Sequence, residues 1–173
     1  MINKTANPHV HRVADDDAPV GPLLLTIHAD TAEGLMTPEP LSIDAEASVR
    51  HAAALLSDLG FGALPVVEGS GTLVGVISQS DIVQYERERD DATVEAVAPP
   101  DDLPYAFRVH IPEATTVRDI MTPLVYAVSP RTAAATVIDQ MLELGVHRLY
   151  VVDPNDRLLG VVTAIDVMRS ARR

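Results

Sequence analysis

Two tetrapeptides hold the residue types that could do chemistry. Ser78-Gln79-Ser80-Asp81 and Thr163-Ala164-Ile165-Asp166 each place a hydroxyl three residues ahead of a carboxylate. One carboxylate can accept from both vicinal hydroxyls of a sugar, and its charge strengthens each bond. A helix starting there adds free N–H groups and a positive end that attract phosphate. The same spacing also makes a capping box, in which both side chains satisfy the first N–H groups of a helix. The two roles are compatible, and spacing alone does not choose between them. His147-Arg148 is a second candidate, because a guanidinium is a planar fork suited to phosphate oxygens. Its plain alternative is a solvated loop pair. His9-Val10-His11 has the spacing of a chelate, but two tail histidines make a weak metal signal, and no metal is expected. No phosphate-binding Walker loop, nucleophile elbow or His-Glu-x-x-His helix occurs. No recognisable Ser-His-Asp arrangement occurs either, so no catalytic residue is assigned.

Composition narrows the function classes. The chain has 173 residues, 47% hydrophobic and 22% charged, without cysteine. That excludes disulfides, thiolate metal sites and cysteine nucleophiles, and it is consistent with a cytoplasmic protein. The formal charge is −12, from 25 acids against 13 bases, and Lys4 is the single lysine. Such a surface repels nucleic-acid phosphate and anionic membranes. The longest early apolar run, Leu23-Leu24-Leu25, is too short for a signal peptide or a membrane span, so a soluble chain is expected. Asp15-Asp16-Asp17 and Asp101-Asp102 read as solvated charge.

An internal repeat organises the rest. Met36-Thr37-Pro38 returns as Met121-Thr122-Pro123, 85 residues later. The same offset carries Thr31 to Thr116, Leu59-Gly60 to Leu144-Gly145, Leu64 to Leu149 and Val66-Val67 to Val151-Val152. It also carries Leu73 to Leu158, Gly75-Val76 to Gly160-Val161, and Asp81 to Asp166. An ungapped register of this length marks a duplication.

Each copy predicts the same elements. A short helical turn, Thr31–Met36 or Thr116–Met121, stops at the proline that follows. A strand follows near Leu41–Ile43 and near Tyr126–Val128. An amphipathic helix comes next, with Val49, Ala52, Ala53, Leu56 and Leu59 on one stripe, and Ala134, Val137, Ile138, Met141 and Leu144 on the other. Asp44 and Ser129 are its expected N-caps, with Pro130 at the first helical position, and Gly60 and Gly145 its stops. Strands at Leu64–Val67 and Leu73–Ser78, and at Leu149–Val152 and Leu158–Thr163, flank tight turns. A last helix begins near Ser80 and near Ile165, which sets both tetrapeptides at strand-to-helix junctions. Each copy is a small β-α-β-β-α unit, marginal alone, so the two copies are expected to pack together. The chain divides into a flexible tail (1–22), a first repeat (23–88), a connector (89–115) and a second repeat (116–173). Between the copies, Glu86–Asp91 reads as a solvated helix end running into the linker and Phe107–Ile111 as a short edge strand.

These motifs resemble a known family. The duplicated Met-Thr-Pro, the strands Leu64-Pro65-Val66-Val67 and Leu149-Tyr150-Val151-Val152, and the segments Gly75–Asp81 and Gly160–Asp166 are similar to a tandem cystathionine-β-synthase (CBS) domain pair, or Bateman module. The resemblance covers residues 31–173 and points to a stand-alone member. It implies an α/β (α+β) fold of two pseudo-symmetric repeats packed through their sheets, with two clefts between them. It implies a regulatory, non-enzymatic module that binds AMP, ADP, ATP or S-adenosylmethionine, requires no cofactor, pairs as a homodimer and signals to an unknown partner protein. The alternative class is a protein-interaction module without a small ligand.

The resemblance also assigns residues. Thr163, Ile165 and Asp166 form the better cleft, with His147-Arg148 facing phosphate and with Leu41, Phe61, Gly62 and Val161 as its apolar lining. Phe61 has the shape to stack on a base. Ser78, Ser80 and Asp81 form the second cleft, lined by Tyr126, Val146 and Val76. The positions matching His147-Arg148 there are Gly62-Ala63, which offer no base, so the two clefts are expected to differ. Arg131 and Arg169 are further candidate phosphate contacts. Core packing is the plainer role for Val76 and Val161, and surface charge for the two arginines.

Overall fold

The computed structural model describes residues 26–94 and 115–172. The expectations for the tail, for Phe107–Ile111 and for His9 and His11 fall outside them.

Each copy forms its expected helix and strands. In the first, β3 (Ile43–Asp44) lies parallel to β4 (Ala63–Glu68), which pairs antiparallel with β5 (Thr72–Ser78). In the second, β6 (Ala127–Val128) lies parallel to β7 (Arg148–Val152), which pairs antiparallel with β8 (Leu158–Thr163). Helices α2 (Val49–Asp58) and α5 (Ala134–Leu144) follow β3 and β6, and α3 (Gln79–Val94) and α6 (Ala164–Ser170) follow β5 and β8. Gly60 and Gly145 take φ of 67° and 64°, the left-handed conformation that ends α2 and α5. The chain ends on a short ladder between β1 (Thr26–Ile27) and β9 (Ala171–Arg172).

The segment that opens each repeat is built into the other repeat. Helix α1 (Ala32–Leu35) places Ala32 and Leu35 in one core with Val128, Val137, Met141, Leu149, Val151 and Val162. Helix α4 (Val117–Ile120) returns Val117 to a core of Ile43, Ala52, Leu56, Leu64, Val66 and Ile77. The Met-Thr-Pro strand β2 (Thr37–Pro38) joins the edge of β8, with Thr37 opposite Val161. Thr122 makes the matching bridge to Val76 on β5. Burying these apolar side chains contributes about 25 cal/mol per Å² removed from water, so each repeat depends on its sister's opening segment.

The exchange explains the repeated Gly75 and Gly160. A methyl group on Gly75 would stand 2.6 Å from the sulfur of Met121, and one on Gly160 would run into Met36. Only a residue without Cβ lets each methionine lie on the neighbouring strand.

It also corrects both expected helix caps. The first N–H of α5, at Ala134, donates to the Asp30 carbonyl of the other copy at 3.0 Å, and Val49 of α2 donates to Thr115 at 3.3 Å. With that donor satisfied from across the molecule, Ser129 instead turns its hydroxyl to Thr132 (3.2 Å), the N-cap is Ala133, and Pro130 lies ahead of the helix rather than at its first position. Asp44 accepts from the backbone of Glu46 (2.8 Å) in a turn, and Ser48 caps α2. The exchanged helices are held in the same way: Ala32 N–H donates to Thr132 and Val117 N–H to Ala47, both at 2.8 Å.

Candidate functional site

The two tetrapeptides sit where β5 enters α3 and where β8 enters α6. At the second junction, Thr163 is extended (φ −109°, ψ 163°), so its side chain can turn back over the first helical turn. Its N–H and its hydroxyl both donate to Asp166 Oδ2, at 2.8 and 2.5 Å, and the hydroxyl accepts from the Asp166 N–H at 3.3 Å. Oδ2 is thereby saturated. Oδ1 faces the hydroxyl of Thr37, at 3.4 Å, on the strand donated by the first repeat. Arg169 Nη1 lies 4.0 Å from the same oxygen, and the Asp166 side chain is only 11% exposed. A carboxylate of this kind has one oxygen spent on the fold and one that, beside the long bond from Thr37, keeps a lone pair for a hydroxyl donor from a ligand.

The first junction repeats half of this. Asp81 Oδ2 accepts from the N–H and hydroxyl of Ser78, both at 2.7 Å. Among the described residues, no hydroxyl from the second repeat reaches Asp81 as Thr37 reaches Asp166. Both tetrapeptides are therefore capping boxes in fact. A third box, Thr116–Asp119, which sequence reasoning did not single out, has the same contacts at 2.8 and 2.9 Å. Capping geometry alone does not mark a site. What separates Asp166 is the hydroxyl that Thr37 of the other repeat brings to its second oxygen.

Arg148 links the two junctions. It opens β7 opposite Thr163, and its Nη1 donates to the Ala63 carbonyl at 3.2 Å. Ala63 opens β4 opposite Ser78. The preceding loop is tied to α3, since Gly62 O accepts from Gln79 N (3.1 Å) and Phe61 O accepts from Gln79 Nε2 (3.2 Å). Arg148 thus brings Phe61, Gly62 and Ala63 of one repeat toward Thr163 and Asp166 of the other. Tyr150, two residues along β7 on the same face as Arg148, is 3% exposed, and its hydroxyl has no partner. Burial raises its pKa, and the charge of Arg148 and the approach of its N–H groups, which fall short of a well-formed hydrogen bond, partly offset that. An unpaired buried hydroxyl costs about 1–3 kcal/mol.

The other candidates divide. Val161 lies beside Thr37, and Val76 beside Thr122. Leu41, Phe61, Tyr126 and Ile165 are exposed, at 45, 43, 39 and 55%, and Ser80 and Arg131 are exposed as well. Val146 packs on the second repeat's own core, and with His147 it lines an apolar groove of about 340 Å³ between α5 and α6. His147 keeps its backbone carbonyl on the N–H of Ala164 (3.0 Å). Sequence reasoning did not single out Thr37 or Tyr150, which the structure places at this junction. The repeated Met-Thr-Pro was a signal for Thr37, but only pairing to the other repeat gives that threonine its place. Among the described residues no group of three or more His, Asp or Glu side chains is placed to hold a metal, and no helix is long and apolar enough to cross a membrane.

Comparison with known proteins gives this geometry a family. An uncharacterized protein of Methanocaldococcus jannaschii is 32% identical over 118 residues, covering 61% of this chain and 70% of that one. The 5'-AMP-activated protein kinase subunit gamma-3 of Sus scrofa is 27% identical over 124 residues, and the match spans 72% of this chain but only 22% of that subunit. The crystal structure of CBSX2 in complex with AMP is similar at a TM-score of 0.63 and 26% identity, covering 82% of this chain and 96% of that one. The CBS domain model matches twice, over residues 32–88 and 117–173, and the chain belongs to the CBS domain family as a tandem pair.

Proposed function

We propose that this CBS pair is a regulatory module that binds an adenosine compound in the Thr163–Asp166 cleft. The observation that supports it is Asp166: a nearly buried carboxylate with one saturated oxygen, whose other oxygen accepts only a long bond from Thr37 of the other repeat. That oxygen would take the ribose hydroxyls, and Arg148, opposite Thr163 on β7, would take an anionic group. The similarity to a protein crystallised with AMP makes AMP the first ligand to test. ADP, ATP and S-adenosylmethionine are the others. The Ser78–Asp81 cleft, with Ala63 in place of Arg148, would favour a less charged compound or stay empty.

The mechanism we assign is a population shift, with no catalytic step. A ligand held by Asp166, Thr37 and Arg148 touches both repeats, so it favours one relative setting of them, by its difference in affinity for the two settings. A second copy would cover the apolar groove between α5 and α6, where Leu142 and Met168 stand 75 and 65% exposed, giving a homodimer. Sedimentation of the purified chain tests this, and a monomer at all concentrations would refute it. The cytoplasm suits such a sensor of soluble nucleotides, and the partner protein would read the setting of the repeats.

Thermal unfolding with each of the four compounds, on wild type and on Asp166→Ala, tests the ligand. At a hundredfold excess over Kd, binding adds about 2.7 kcal/mol and raises the midpoint. A rise for one compound, lost in Asp166→Ala, names the ligand and its cleft. A flat result for all four defeats the adenosine reading in favour of a protein-interaction module.

A further inference from the structure

Arg148 and Tyr150 are both short of partners. A guanidinium carries five N–H donors. Among the described residues Arg148 uses one, on the Ala63 carbonyl, and no carboxylate pairs with it, although the chain holds 25 acids. Tyr150 is buried with an unbonded hydroxyl, which a folded protein normally avoids. The two side chains project from the same face of β7, two residues apart, and the hydroxyl lies near the guanidinium. The pair exists at one junction only. The equivalent positions in the first repeat, 85 residues earlier, are Ala63 and Pro65, which have no side-chain donor or acceptor. Packing at the pseudo-twofold therefore does not demand a hydroxyl here, since Pro65 is buried in the same setting without one.

We propose that Tyr150 is a positioning residue for Arg148: when an anionic group enters the Thr163–Asp166 cleft, the guanidinium turns from the Ala63 carbonyl to that group, and the Tyr150 hydroxyl accepts one of its N–H bonds and fixes its new direction. In the structure Arg148 donates to the Ala63 carbonyl, and the Tyr150 hydroxyl nearby has no partner at hydrogen-bonding distance and angle. With ligand, both groups are satisfied. Tyr150 thereby sets how strongly the cleft prefers a phosphorylated nucleoside to the bare nucleoside. The inference rests on the adenosine reading above and adds a selectivity residue to it.

The test is isothermal titration of adenosine, AMP, ADP, ATP and S-adenosylmethionine into the full chain: wild type, Tyr150→Phe, Arg148→Gln and the double variant. Wild type should bind AMP more tightly than adenosine. Tyr150→Phe should weaken AMP about 5- to 10-fold, one hydrogen bond's worth, and leave adenosine within about twofold. In the Arg148→Gln background, Tyr150→Phe should not change the AMP-to-adenosine ratio further. Tyr150→Phe should fold, with an unfolding midpoint equal to or above wild type, because it removes only an unpaired hydroxyl. If Tyr150→Phe shifts both affinities equally, or neither, Tyr150 is structural and the proposal is overturned. If wild type binds AMP and adenosine alike, or only S-adenosylmethionine, the proposal is overturned while the adenosine reading stands. If wild type binds none of the compounds, both fall.

Discussion

Leu35 stands in the first repeat by sequence and in the core of the second by structure, which makes it a direct probe of the exchange. It is 5% exposed, within the cluster that contains Val151. Val66, the residue 85 positions before Val151, lies in the other cluster, and both valines are fully buried. Leu35→Ala removes most of a buried side chain and should cost about 2–5 kcal/mol, depending on how far the cavity collapses. Val151→Ala and Val66→Ala each remove about two methylene equivalents, or about 1.6 kcal/mol before any cavity contribution. Double-mutant cycles by urea denaturation then separate the two arrangements. Leu35→Ala should couple with Val151→Ala by about 0.5–3 kcal/mol, because the two lie in one core cluster, and should add to Val66→Ala within about 0.5 kcal/mol. Unchanged m-values would show that the unfolded state is not the source. Coupling to Val66 with additivity at Val151 would refute the exchanged core and place α1 within its own repeat.

Two further predictions concern stability alone. Gly160→Ala drives a methyl group into Met36 and should cost about 1–3 kcal/mol in denaturant, with a smaller cost in a Met36→Ala background; equal costs in the two backgrounds would disprove the contact. The N–H and hydroxyl of Thr116 hold the Asp119 carboxyl below its ordinary range, so the unfolded chain binds its proton first as pH falls. Asp119 therefore stabilises above about pH 4, and that contribution is lost as pH falls through its lowered folded value. The stability of Asp119→Asn should accordingly depend less on pH below about pH 4, and an acid limb identical to wild type would contradict the assignment.

Much of this molecule was legible in its residues. The offset of 85 residues, the apolar stripes of α2 and α5 and the stops at Gly60 and Gly145 are consequences of local pattern, because period and backbone freedom act within a few residues. The capping contacts of Thr163 with Asp166 and of Ser78 with Asp81 were equally local and formed as their spacing predicts. The N-caps of α2 and α5 were misplaced because their first N–H groups are satisfied by Thr115 and Asp30, which a neighbouring-residue argument never meets. The same long-range pairing brings Thr37 to Asp166 and Arg148 to Ala63, 129 and 85 residues apart. The sequence by itself determined two alike units and the chemistry at each strand-to-helix junction. Only the tertiary structure decided that each unit lends its opening helix and strand to the other, and so which of two similar carboxylates receives a hydroxyl from its sister repeat. The reason is physical: hydrogen bonds and apolar burial reward any suitable partner in space, whereas spacing along the chain records only the partners nearby.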